Sequence, residues 1–237
     1  MSDSLLVARH LEMRFGGIVA VHDVSLELQK GELICIIGAN GAGKTTLINI
    51  LSGTLKPFAG SILFEGRNIV GLPLYQYARN GIVRKFQVPS YFQWMSPREN
   101  LEVARLGVGA KAAVSEIDRI LSLIGLAGVA DITIAEALAH GQKQWLEIGM
   151  TLMCQPKLII LDEPTAGMSP EETDKTAEIV LGMRGKCSFV VIEHDMRFVR
   201  ALNTRTLVMH QGEVICEGTF SKVANEPKVR AVYLGEQ

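Results

Sequence analysis

No stretch of this chain approaches the roughly 18 consecutive apolar residues that a membrane-spanning helix needs, although 48% of its 237 residues are apolar. Asp162, Glu163 and Glu193 interrupt the longest apolar stretches. That excludes an integral membrane class and makes those stretches parallel strands buried on both faces. No sign of charge dominates: the formal net charge is −1, which argues against nucleic acid as a bulk partner. The four cysteines, Cys35, Cys154, Cys187 and Cys216, form no C-x-x-C pair. They read as packed thiols of a reducing compartment, not as a metal site or disulfide frame. The N-terminus lacks a basic region followed by an apolar run and a cleavage site, so a cytoplasmic location is expected. There is no internal repeat and no low-complexity linker, and the length suits one domain, 1–237, with a small insertion.

What is present is concentrated in one loop. Gly38-Ala39-Asn40-Gly41-Ala42-Gly43-Lys44-Thr45-Thr46 matches G-x-x-x-x-G-K-[ST]. It follows the apolar run Leu33-Ile34-Cys35-Ile36-Ile37 and precedes Leu47, Ile50 and Leu51 at helical spacing. Strand, glycine loop and helix form the context that this pattern requires. Gly38, Gly41 and Gly43 let successive backbone N–H groups turn inward on a polyphosphate. The helix start adds its positive dipole end. Lys44 brings a charge to the β- and γ-phosphates, and the Thr45 hydroxyl can ligate Mg²⁺.

Around this loop the chain reads as an α/β protein. Leu5 to Phe15, Val21 to Leu28 and Ser61 to Glu65 are expected strands of an antiparallel sheet beside the loop-bearing sheet. Phe15 is either a core residue or a platform for an adenine ring. A short helix over 72–78 precedes Val83-Arg84-Lys85-Phe86-Gln87, and then comes an aromatic run, Tyr91, Phe92 and Trp94, with Met95 beside it. Ser96-Pro97-Arg98-Glu99 reads as a capping box with proline at the first helical position. Roughly fifty residues of helical pattern then separate two halves of the α/β sheet, which suggests an inserted helical subdomain at about 88–152. A helix from about Gln142 to Cys154 follows Leu138-Ala139-His140-Gly141. Lys157 to Glu163 and Ser188 to Glu193 are buried strands ending in carboxylates, Ser169-Pro170-Glu171-Glu172 is a second capping box, and a hairpin turns at Gln211-Gly212.

Three strand ends carry chemistry: Gly38 to Thr46, Asp162-Glu163 and His194. In a parallel sheet such ends converge on ligands. Asp162, closing a rigid strand, suits Mg²⁺. Glu163 can accept a proton from an attacking water, His194 can contact a γ-phosphate, and Gln87 can reach the metal or the water.

These motifs, in this order and spacing, resemble the nucleotide-binding subunit of an ATP-binding cassette (ABC) transporter over essentially the whole chain. Met13-Arg14-Phe15-Gly16-Gly17 and Arg84-Lys85-Phe86-Gln87 resemble its branched-chain amino-acid uptake group. The run His140 to Met150, with Val191 to Met196 and Val232 to Gly235, resembles the urea-importer ATPases (the UrtD type) within that group. The resemblance implies a P-loop ATPase with a mainly parallel core sheet, an N-terminal antiparallel β subdomain and a helical subdomain. It implies Mg-dependent ATP hydrolysis that powers uptake of urea, with a branched-chain amino acid or short amide as the alternative solute. A binding role with weak hydrolysis is a further alternative. Two such subunits would close head to tail on two ATPs. They would serve two transmembrane permease subunits and, indirectly, a solute-binding protein, from the inner face of the plasma membrane. Phe15 would meet the adenine, Gln87 the Mg²⁺, Glu163 would be the catalytic base and His194 the γ-phosphate contact. His140, Gly141 and Gln142 would complete the partner's site. The family's signature serine and glycine are replaced here by Ala139 and His140. The loop Ala166-Gly167-Met168-Ser169 lacks an aspartate common in relatives.

Overall fold

A computed structural model describes residues 4–85, 91–107, 113–134 and 138–234. Gln87 lies outside the described residues. The fold is built on the strand before the glycine loop. In β3 (Leu33–Gly38) every residue is buried, and its neighbours divide by parity. Leu33, Cys35 and Ile37 join one apolar cluster, while Ile34 and Ile36 join another. A strand buried on both faces must be apolar at every position, which is why these runs do not alternate.

The central sheet holds six strands in the order β10-β9-β3-β8-β7-β6. Beside β3 stand β6 (Ile82–Lys85), β7 (Leu158–Asp162), β8 (Ser188–Ile192), β9 (Arg205–His210) and β10 (Glu213–Thr219). All adjacent pairs are parallel except β9 with β10, the expected hairpin. The second sheet is antiparallel throughout, in the order β2-β1-β4-β5. Its strands are β1 (Ser4–Phe15), β2 (Ile18–Gln29), β4 (Ala59–Phe64) and β5 (Arg67–Asn68).

The two sheets enclose α1 (Lys44–Leu51), whose Leu47, Ile48, Ile50 and Leu51 are buried in the same cluster as Leu6, Leu11, Val21 and Leu28. Helices cover the other face. Between β6 and β7 the chain forms α3 (Pro97–Gly107), α4 (Ser115–Leu123) and α5 (His140–Met153), after the short α2 (Leu74–Asn80) has preceded β6. Leu101, Ile120, Leu121 and Leu146 from these helices join the cluster beneath β3. Among the described residues the remaining α-helices are α6 (Pro170–Gly182), α7 (Met196–Leu202), α8 (Phe220–Ala224) and α9 (Pro227–Leu234).

Both expected capping boxes form. The Ser96 N–H donates to Glu99 Oε2 at 2.7 Å, and the Glu99 N–H donates to Ser96 Oγ at 3.3 Å. Ser169 and Glu172 repeat the exchange at 2.9 and 3.3 Å. Several boundaries differ from expectation: the short helix expected over 72–78 runs over Leu74–Asn80, and the strand expected from Val21 begins at Ile18. α5 begins at His140 rather than Gln142, so the N–H groups of His140, Gly141 and Gln142 belong to its first turn and lack intrahelical acceptors. Burial raises the Cys35 thiol pKa to about 12 and the Cys187 thiol pKa to about 11, and all four cysteines are free.

Candidate nucleotide site

The loop after β3 packs directly on the backbone of β9 and β2 at two glycines where there is no room for a side chain. A Cβ on Gly38 would stand 2.4 Å from Met209 O, and one on Gly43 would stand 2.3 Å from Ala20 O. Gly43 also has φ of 99° at the N-cap of α1, a conformation open to glycine. Beside the loop is a cleft of about 450 Å³, lined by Asn40 to Thr46 together with Ile18, Val19, Ala20, Glu163 and Gln211. Lys44 is 7% exposed. Its Nζ donates to Gly38 O at 2.8 Å and Ala39 O at 3.0 Å, which points the ammonium back over the loop. Burial lowers its pKa, against the opposing pull of Glu163 and Asp162. An incoming phosphate would restore what burial removes.

Asp162 ends β7 and is 4% exposed. Its Oδ2 accepts from Arg84 Nη2 at 2.8 Å. Arg84 Nη1 in turn donates to Asn49 Oδ1 on α1 at 2.5 Å, so the aspartate is fixed to the helix that follows the loop. Glu163 takes φ of 49°, a left-handed conformation that costs a non-glycine residue energy and tends to occur where function demands it. The turn aims its partly exposed side chain into the cleft, and His194 Nδ1 stands 3.5 Å from Glu163 Oε1. Hydroxyl and carboxylate oxygens such as those of Thr45 and Asp162 are the hard donors that Mg²⁺ takes.

Glu193, which the sequence marks as a strand-end carboxylate with no role of its own, organises this corner. It is fully buried. Its Oε1 accepts from Thr165 N at 3.0 Å and Thr165 Oγ1 at 2.6 Å. Its Oε2 accepts from His194 N at 2.9 Å and Asp195 N at 3.2 Å. One carboxylate thus ties the turn carrying Glu163 to the turn carrying His194. A charged residue inside an apolar strand was the signal available. Nothing local in the sequence marks Ile18, Val19 or Gln211, which neighbouring hairpins bring to the cleft.

Phe15 is 48% exposed at the end of β1, where it pairs with Ile18 across the hairpin. It is not a core residue, and it does not line the cleft. His140, Gly141 and Gln142 do not line it either. His140 is exposed, with Nε2 3.4 Å from Ala166 O. Gly141 is buried, and a Cβ there would reach 2.4 Å from Glu172 Oε1. Gln142 Oε1 accepts from the Ala139 N–H at 2.9 Å, but Ala139 has no hydroxyl to return the bond. Within one chain the signature and the glycine loop therefore stay apart.

A phosphate loop on a mainly parallel sheet, strand-end carboxylates and a neighbouring histidine define a P-loop ATPase of the ATP-binding cassette type. Comparison with known proteins agrees. Residues 21–166 match the ABC transporter family, and residues 213–237 match the branched-chain amino acid ATP-binding cassette transporter family. The chain is 39% identical to the high-affinity branched-chain amino acid transport ATP-binding protein LivG of Salmonella typhimurium, with 100% of each chain covered. It is 35% identical, at the same coverage, to BraF of Pseudomonas aeruginosa, which carries the same description. A crystal structure of an ABC transporter cassette in its ADP conformation superposes with a TM-score of 0.87 at 32% identity, covering 99% of this chain and 100% of that one. A dimeric cassette bound to ADP and Pi, 24% identical, shares the fold with a TM-score of 0.76. The chain belongs to the ABC transporter family and is one of its ATPases. The names of these relatives favour the branched-chain amino-acid alternative over the urea reading of the sequence. Among the described residues no helix is long and apolar enough to cross a membrane.

Proposed function

We propose that this chain is the ATP-hydrolysing subunit of an importer for branched-chain amino acids. The supporting observation is the cleft in which Lys44, Thr45 and Glu163 meet, with Asp162 preceding Glu163 at the strand end and His194 Nδ1 3.5 Å from Glu163 Oε1. In this reading the Gly38 to Thr46 backbone and Lys44 hold the phosphates, and Phe15 and the hairpin residues Ile18 and Val19 flank the adenine. Thr45, Asp162 and Gln87 would hold Mg²⁺, which would supply positive charge to offset that of the phosphates. Glu163 accepts a proton as water attacks the γ-phosphorus and the bond to ADP breaks, while His194 contacts the transferred group. His140, Gly141 and Gln142, distant from their own chain's cleft, complete the site of a second ATPase subunit.

Two permease subunits would be the other partners, with a solute-binding protein behind them, at the inner face of the plasma membrane. Phe92 and Trp94 are 51% and 76% exposed, while Tyr91 packs against the core. An apolar patch of this kind beside a site marks an interface, here the seat of a short permease helix. The solute reading rests on the named relatives. Urea is the second reading, favoured by the run His140 to Met150.

The test is ATP hydrolysis by the purified chain against a Glu163→Gln control, paired with uptake of labelled leucine and labelled urea in source cells lacking this chain. Loss of leucine uptake supports the proposal. Loss of urea uptake alone would transfer it to the second reading.

A further inference from the structure

Two consecutive side chains at the end of β6 leave the sheet in opposite directions, as strand geometry requires. The register sets Arg84 beside Ile160 and Lys85 beside Leu161, which belong to the two different apolar clusters. Arg84 stays on the nucleotide side, bonded to Asp162 and to Asn49 of α1. Lys85 enters the helical side. There its Nζ lies 3.2 Å from Glu147 Oε2 and donates to Gln144 Oε1, both on α5. The side chains of Lys85 and Glu147 are only 5% and 3% exposed.

An ion pair buried this deeply adds little net stability, because desolvation offsets most of its attraction. What it does impose is geometry, since drawing the two buried charges apart forfeits an attraction that is strong away from water. The surroundings make that geometry rigid. Glu147 sits between the buried Leu146 and Ile148. Gly149 lets α5 lie so close to its neighbours that a Cβ there would be 2.9 Å from Ile124 Cδ1. The first turn of the same helix carries His140, Gly141 and Gln142.

We propose that Lys85 and Glu147 form a positioning strut that joins β6 to the signature helix. The strand holding Asp162's partner Arg84, three residues ahead of Gln87, then sets the placement of His140 to Gln142. Displacement at one chain's Asp162 side is thereby passed to the groups offered to the other chain's ATP. Both are positioning residues that touch no nucleotide. The inference rests on the two-chain site proposed above.

The test is the double change Lys85→Met with Glu147→Leu, which leaves no lone charge in the core. The double variant should unfold close to the parental temperature and bind a fluorescent ATP analogue as the parent does. It should lose about tenfold in kcat at unchanged KM, within the usual range of coupling between sites. In a Glu163→Gln background, its ATP-driven dimerisation should require about tenfold more protein. A purely structural role would lower the unfolding temperature and leave kcat per folded chain at the parental value. Parental kcat and dimerisation in a folded, ATP-binding double variant overturn the strut. If the double variant does not fold, Glu147→Gln is read by the same two quantities, and parental values there overturn it equally. A parental chain that binds ATP yet neither dimerises nor hydrolyses it fails the two-chain reading itself, before any variant is compared.

Discussion

Glu193→Gln removes half of a clamp that only the folded chain reveals. The parental carboxylate accepts from four donors, Thr165 N, Thr165 Oγ1, His194 N and Asp195 N, at 2.6–3.2 Å. A glutamine keeps one acceptor oxygen and turns an NH₂ toward donors on the other side, whichever way it flips. Hydrogen bonds to a charged acceptor contribute about 1.5–3 kcal/mol each, and a buried donor left without a partner costs about 1–3 kcal/mol. The neutral side chain recovers part of this, because it is easier to bury than a carboxylate. A net loss of about 3 kcal/mol follows, which for a chain of this size lowers Tm by about 6–12 °C. Function should fall further than stability. Thr165 lies two residues after Glu163, and the His194 N–H is itself one of the donors, so both catalytic turns are released together. Misplacement of reacting groups by about 1 Å can cost 10²-fold, and kcat should drop by about ten- to a hundredfold. The P-loop is not part of the clamp, so ATP affinity should be unchanged. Thermal unfolding, equilibrium titration with a fluorescent ATP analogue and steady-state ATPase rates on one preparation supply the three quantities. A Tm within 2 °C of the parent together with an unchanged kcat would refute the reasoning.

Lys44→Ala should raise the dissociation constant for ATP by about tenfold or more, since it removes one or two charge-assisted bonds to phosphate; unchanged binding of a fluorescent analogue would remove the loop from the site. Glu163→Gln should bind ATP normally, hydrolyse it about 10²–10⁴-fold more slowly and accumulate as an ATP-bound dimer on size-exclusion chromatography. Parental turnover would show that another group is the base. Ala139→Ser supplies the hydroxyl missing at the N-cap of α5, so it should raise stability by about 1 kcal/mol. Where that hydroxyl reaches the partner's γ-phosphate, it should also improve kcat/KM by a few-fold to about tenfold, and no gain in a homodimer would assign the signature's work to His140, Gly141 and the helix start. Trp94→Ala should leave ATPase activity of the isolated chain intact and weaken its co-purification with the permeases; undiminished co-purification would place the docking site elsewhere.

The glycine loop, the strand-end carboxylates and the two capping boxes were legible because each is contiguous. The physics that makes them work acts over a few residues: φ freedom at glycine, a helix dipole, a serine reaching its own helix's third residue. Continuous apolar runs likewise declared strands buried on both faces, and with them the mainly parallel sheet. Period-two geometry alone states that Arg84 and Lys85 point apart. Only the tertiary structure decided what each would meet, because the partners are Asp162 and Asn49 for one and Glu147 for the other, far off in sequence. The same holds for Glu193 and Thr165, and for Ile18 and Val19 at the cleft. A buried charge is tolerable only when chain segments distant in sequence arrive together to satisfy it, and strand register and helix packing control that arrival.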